Sequence, residues 1–136
     1  MRVLIADDQP QVRSALRLLL NHEQGVRVVG EAGDAEQALE LAAARRPDLV
    51  LLDWELPGQG TLSATDSPER LLPALRTCCP RAKVVALSGR PEARQAALAA
   101  GADAFVSKGD PPERLLAAVD ECMCGNCSQV RDGDVG

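Results

Sequence analysis

Asp7, Asp8, Asp53, Ser88 and Lys108 bring three carboxylates, a hydroxyl and an ammonium, and each stands at the end of a short apolar run. Runs of that kind read as strands. An open parallel α/β sheet lines up the C-terminal ends of its strands along one edge, where sites form. The five residues are therefore expected to converge. Carboxylates held together repel unless a cation sits among them. Mg²⁺ suits the role, because it takes oxygen ligands and is usually held by one or two carboxylates with phosphate oxygens and water. An ammonium and a hydroxyl facing it would hold a phosphoryl group. The chemistry to expect is phosphoryl transfer, which rests on positioning and on charge neutralisation by metal and cation.

The elements that must position these groups are legible in the pattern. Segments 2–6, 26–29, 49–52, 83–87 and 104–106 are short, apolar and rich in branched side chains. Such continuous runs suit strands covered on both faces by crossover helices. Between them, Val12, Leu16, Leu19 and Leu20 recur at helical spacing in 10–22, as do Ala35, Ala38, Leu39 and Ala42 in 35–45. Segments 68–77, 91–100 and 111–121 open with proline, which is favoured in a first helical turn. Asp34, Ser67 and Asp110 are candidate N-caps, and Gly101 follows the fourth helix as a C-terminal cap would. Five β-α units predict a doubly wound α/β domain with helices on both faces.

Composition narrows the class. A chain of 136 residues that is 46% hydrophobic and 1% aromatic supports one domain with a core of Leu, Val and Ala. A net charge of −5 argues against direct nucleic-acid binding by this domain, which would want a basic face. The apolar runs are strand-sized, with no signal peptide and no membrane span, so a cytoplasmic protein is expected. His22 is the only histidine, which leaves no second imidazole for a transition-metal site. Cys78 and Cys79 close the third helix, and Cys122, Cys124 and Cys127 follow the fifth. Three cysteines without a local fourth ligand do not make a structural zinc site; they read as reduced thiols, with a metal or inter-chain disulfide as the alternative. The domain is expected over 1–121, and the Gly-, Asn- and Ser-bearing stretch 122–136 is expected to be a disordered tail.

The ordered set of Asp7-Asp8, Asp53 with Pro57-Gly58 beyond it, Ser88-Gly89 and Lys108 resembles the receiver domain of two-component response regulators. The likeness runs from residue 1 to about 121. It implies a flavodoxin-like five-stranded parallel sheet of order 2-1-3-4-5. It also implies a role for each residue. Asp53 would be the phosphoacceptor, forming an acyl phosphate. Asp8 would bind Mg²⁺ directly, with Asp7 holding a metal-bound water and Glu55 offering its backbone carbonyl. Ser88 would bond a phosphoryl oxygen beside the small Gly89, and Lys108 would pair with the phosphoryl group. Phe105 would be the switch aromatic, turning inward when Ser88 is drawn to the phosphate. The chain departs from the family in three places. Gly109 stands where proline often follows the lysine in a cis bond; a cis bond before a non-proline residue costs roughly 2.5–4 kcal/mol, which leaves the isomer open. Residues 60–67 make a polar stretch longer than the turn the family would lead one to expect, and Phe105 replaces the commoner Tyr.

The resemblance implies a phosphorelay protein that is not an enzyme, although it assists its own phosphorylation and dephosphorylation. A histidine kinase would be the donor. The output would be a protein partner, or a second copy, on the face of the fourth helix, fifth strand and fifth helix, residues 91–118. Two settings fit: a stand-alone receiver, or the receiver fragment of a helix-turn-helix transcription regulator, whose receivers 90–119 resembles. The alternative function is a small phosphatase with an aspartyl-phosphate intermediate, for which Glu55 holds the general-acid position but no cap domain is visible. Glu55 and Arg90 flank the mouth of the expected pocket.

Overall fold

The computed structural model describes residues 1–56 and 68–123. Five strands alternate with helices: β1 (Arg2–Ala6), α1 (Pro10–Asn21), β2 (Arg27–Ala32), α2 (Ala35–Arg45), β3 (Leu49–Asp53), α3 (Pro68–Cys78), β4 (Lys83–Ser88), α4 (Arg94–Ala99), β5 (Ala104–Ser107) and α5 (Pro112–Met123). A 3-10 turn at Pro91–Ala93 leads into α4. All pairings are parallel and the order is β2-β1-β3-β4-β5, the order expected.

Side chains alternate across the sheet, so each strand feeds two cores. Val3, Ile5, Leu49, Leu51, Val85 and Val106 pack with α1 and α5. Leu4, Ala6, Val50, Leu52, Val84 and Ala86 face the other way, toward α2, α3 and α4. All residues of β3 are buried, as the central strand of such a sheet must be.

Some local expectations change. β2 runs to Ala32, past the apolar stretch; as an edge strand it tolerates Gly30 and Glu31, and a register shift lies beside it between Val3 and Leu4. Gly30 packs closely, since a Cβ there would sit 3.2 Å from Leu4. Asp34 caps α2 by accepting the Gln37 amide at 2.9 Å. Asp110 instead accepts the Ser107 amide at 3.2 Å, so its carboxylate closes the turn after β5 rather than opening α5. Gly101, beyond the end of α4, has φ 113, a conformation costly for other residues. Cys122 was expected to begin the tail, but α5 runs on to Met123 and Cys122 is buried in the α1–α5 core. Ser67, the 60–67 turn, Cys124 and Cys127 lie outside the described residues. Among the described residues no peptide bond is cis, so Lys108–Gly109 is trans. No helix among them is long and apolar enough to cross a membrane.

Candidate functional site

The sheet ladder carries the site residues past the strand ends. The register pairs Ala6 with Leu52, so Asp7 and Asp53 come one step further along neighbouring strands. The Asp7 amide continues the ladder to Ala32 O at 2.9 Å, Trp54 N reaches Leu87 O at 2.7 Å, and Lys108 N reaches Ser88 O at 2.8 Å. Three loops are thus clamped side by side along one edge.

Asp7 and Asp53 are buried and Asp8 is exposed, and carboxylate oxygens of the three all lie within 4.8 Å of one another. Lys108 Nζ stands 2.9 Å from Asp7 Oδ2 and 3.3 Å from Asp53 Oδ1. Each buried carboxylate also takes an amide two residues on: Gln9 N to Asp7 Oδ1 at 2.9 Å and Glu55 N to Asp53 Oδ1 at 3.0 Å. Burial pushes the Asp53 carboxyl up to about 6; the Glu55 amide and Lys108 oppose that rise, and Asp7 adds to it. For Lys108, burial works against the charged form, but the pairs with Asp7 and Asp53 outweigh it, and its pKa lies above the ordinary lysine value. An acidic cluster of oxygen donors with two members out of water suits a hard divalent cation.

Ser88 lies on the other side of Asp53, fully buried at the end of β4. Its hydroxyl donates to Glu55 Oε2 at 2.6 Å and accepts the Arg90 amide at 3.0 Å. The Arg90 guanidinium reaches the same Glu55 oxygen at 3.3 Å. A Cβ at Gly89 would meet nothing within 4 Å, so the space beside Ser88 is open. Phe105 is half-buried at the edge of the α2–α4 core, and Trp54 is buried in it.

Asp7, Asp8, Asp53 and Lys108 are therefore gathered, with Ser88 alongside. The Glu55 side chain, at the mouth of the pocket, turns to Ser88. Reasoning from sequence passed over Arg13. Its guanidinium donates to the Asp7 carbonyl at 2.7 Å and sits 3.4 Å from Glu31, which Arg17 also holds at 2.6 Å. The signal was faint: an arginine one turn inside α1, with an acid on β2 to meet it.

A parallel sheet of this order with an acidic pocket at its C-terminal edge defines a flavodoxin-like α/β domain with its site at the strand ends. The family model for the response regulator receiver domain matches residues 3–120, and the chain belongs to that family. It is 34% identical over 123 residues to the nitrate/nitrite response regulator NarL of Escherichia coli K12, covering 90% of this chain and 55% of NarL. It is 31% identical over 125 residues to the response regulator GacA of Pseudomonas aeruginosa, covering 92% and 56%. The chain thus spans about half the length of these curated relatives. Among solved structures, it resembles the signal receiver domain of the NarL response regulator from Mycobacterium tuberculosis, at a TM-score of 0.77, 32% identity and coverage of 91% and 96%. The isolated receiver of RcsB from Salmonella enterica serovar Typhimurium, studied with the phosphomimetic BeF3⁻, superposes at 0.80 with 25% identity and coverage of 92% and 89%.

Proposed function

We propose that Asp53 accepts a phosphoryl group and that this receiver reports the event on another face. One observation carries the reading most: Lys108 lies between Asp7 and Asp53, while Asp8 opens the same cluster to solvent. The Asp53 carboxylate attacks phosphorus as a nucleophile; its O–P bond forms as the bond from phosphorus to the phosphodonor breaks, and the donor leaves with that electron pair. Lys108 is placed to neutralise the charge that collects on the phosphoryl oxygens, and the Ser88 hydroxyl and the space beside Gly89 receive one of them. Asp8, Asp53 and the Glu55 carbonyl would hold Mg²⁺, with Asp7 in support. The metal would supply charge neutralisation among carboxylates that otherwise repel.

A histidine kinase is the donor we expect. The chain assists its own phosphorylation and dephosphorylation without turning over another substrate. The phosphatase alternative is disfavoured, because the Glu55 carboxylate is taken up by Ser88 and Arg90 rather than free to act as an acid. Output runs through Phe105, which lines a groove with Arg94, Leu98, Arg114 and Ala117 between α4, β5 and α5. Its mixed charge suits a protein partner or a second copy of this chain. The unit 1–121 acts as the receiver in the cytoplasm, alone or ahead of a DNA-binding output domain like those of the regulators it resembles.

Incubation with Mg²⁺ and acetyl phosphate tests the site. Intact mass should rise by one phosphoryl group and should not rise in Asp53→Asn. Labelling that persists in that variant, or that ignores Asp8→Ala, overturns the assignment.

A further inference from the structure

The Ser88 hydroxyl has one proton to give, and in this structure Glu55 holds it. A carboxylate can only accept and an amide can only donate, so the 2.6 Å contact to Glu55 uses the proton and the 3.0 Å contact from Arg90 N uses a lone pair. A phosphoryl oxygen at neutral pH likewise needs a donor. It must compete with Glu55 for the same proton, and hydrogen bonds to an ionised partner at such short range are the strong ones.

We infer that Glu55 is a resting-state latch on Ser88, a positioning residue that sets how readily the site takes a phosphoryl group. The inference rests on Asp53 being the acceptor. Glu55 is tied to that event by sequence, since its own amide bonds Asp53 Oδ1 at 3.0 Å. Arg90 makes release feasible: its guanidinium already meets Glu55 Oε2 at 3.3 Å, so the freed carboxylate keeps a cationic partner. The two charged side chains that flank the pocket mouth thus act on the hydroxyl at its floor. A bound group shifts the balance between latched and released Ser88 only by its differential affinity for the two states. Removing the latch should therefore tighten binding.

Affinity for beryllofluoride with Mg²⁺, read by Trp54 fluorescence, tests this in the wild type, Glu55→Ala, Ser88→Ala and the double variant. Glu55→Ala should tighten binding roughly five-fold or more with Ser88 present, and change it less than about two-fold when residue 88 is alanine. Tightening by the same factor in both backgrounds would mean simple charge repulsion and would overturn the latch. So would no change, or weaker binding, in Glu55→Ala alone. If the wild type fails to bind, or Asp53→Asn binds as well as it does, the phosphoacceptor reading itself falls and takes the latch with it.

Discussion

Lys108 lies nearer to Asp7, at 2.9 Å, than to Asp53, at 3.3 Å. Of the two buried acids, Asp7 thus takes the larger share of the ammonium. Asp53 keeps an oxygen bonded to the Glu55 amide and a carboxyl raised toward neutrality. A site arranged in this way waits for positive charge.

The pH dependence of stability follows from Asp53. Its pKa rises from 3.8 to about 6 on folding. The folded state therefore favours the protonated form. Its contribution is fully present below the unfolded value and is lost as pH climbs through the folded one. Two units correspond to about 3 kcal/mol at most. In metal-free urea titrations, Asp53→Asn should match the wild type near the low end of that window and exceed it by up to about 3 kcal/mol at pH 7. A constant difference between the two proteins across the window would contradict the raised pKa.

Lys108 and a divalent cation should substitute for one another in part. Lys108→Met strips the buried Asp7 of its partner, and breaking a buried pair is costly. We expect a loss of roughly 1–3 kcal/mol in metal-free buffer, and Mg²⁺ should recover more stability in this variant than in the wild type. Equal recovery in both would show that the ammonium does not share its place with the cation.

The thiols at the end of α3 should differ in reactivity. Cys79 is buried, donates to the Ala42 carbonyl at 3.3 Å and has its pKa pushed up to about 11, by burial first and then by Cys78. Cys78, 3.6 Å away, is more open. Iodoacetamide on the folded protein, followed by peptide mass mapping, should label Cys78 well before Cys79. The reverse order would mean that the seam between α2 and α3 opens.

At the opposite edge of the sheet, Asp103 Oδ2 accepts both Val84 N and Arg76, each at 2.8 Å. Arg76 also bonds Ala82 O and Gly101 O, so it ties α3 to the starts of β4 and β5. Asp103→Ala leaves a strand amide and a guanidinium without that partner and should cost roughly 1–3 kcal/mol in chemical denaturation. Beryllofluoride affinity should stay within about two-fold of wild type, because additivity holds between distant sites.

Strands, helices and the edge on which chemistry collects are all legible in the order of the residues. Apolar runs such as 49–52 need two covering layers, and charged residues at their ends have nowhere to go but the rim. The sequence also singled out Asp7, Asp8, Asp53, Ser88 and Lys108, because their types and order carry a chemistry that spacing along the chain preserves. It could not say where a long side chain would turn. Glu55 and Arg90 sit two residues past Asp53 and Ser88, at the mouth of the expected pocket; only the packing of β3 against β4 brings the carboxylate to the Ser88 hydroxyl. Arg13 escaped notice for the same reason, since its partners, the Asp7 carbonyl and Glu31, come from two different strands. β2 ran past its apolar signal because an edge strand is held by its ladder to β1, not by burial of every side chain. Local pattern decides which backbone forms; hydrogen bonds between groups distant in sequence are decided only when the sheet closes.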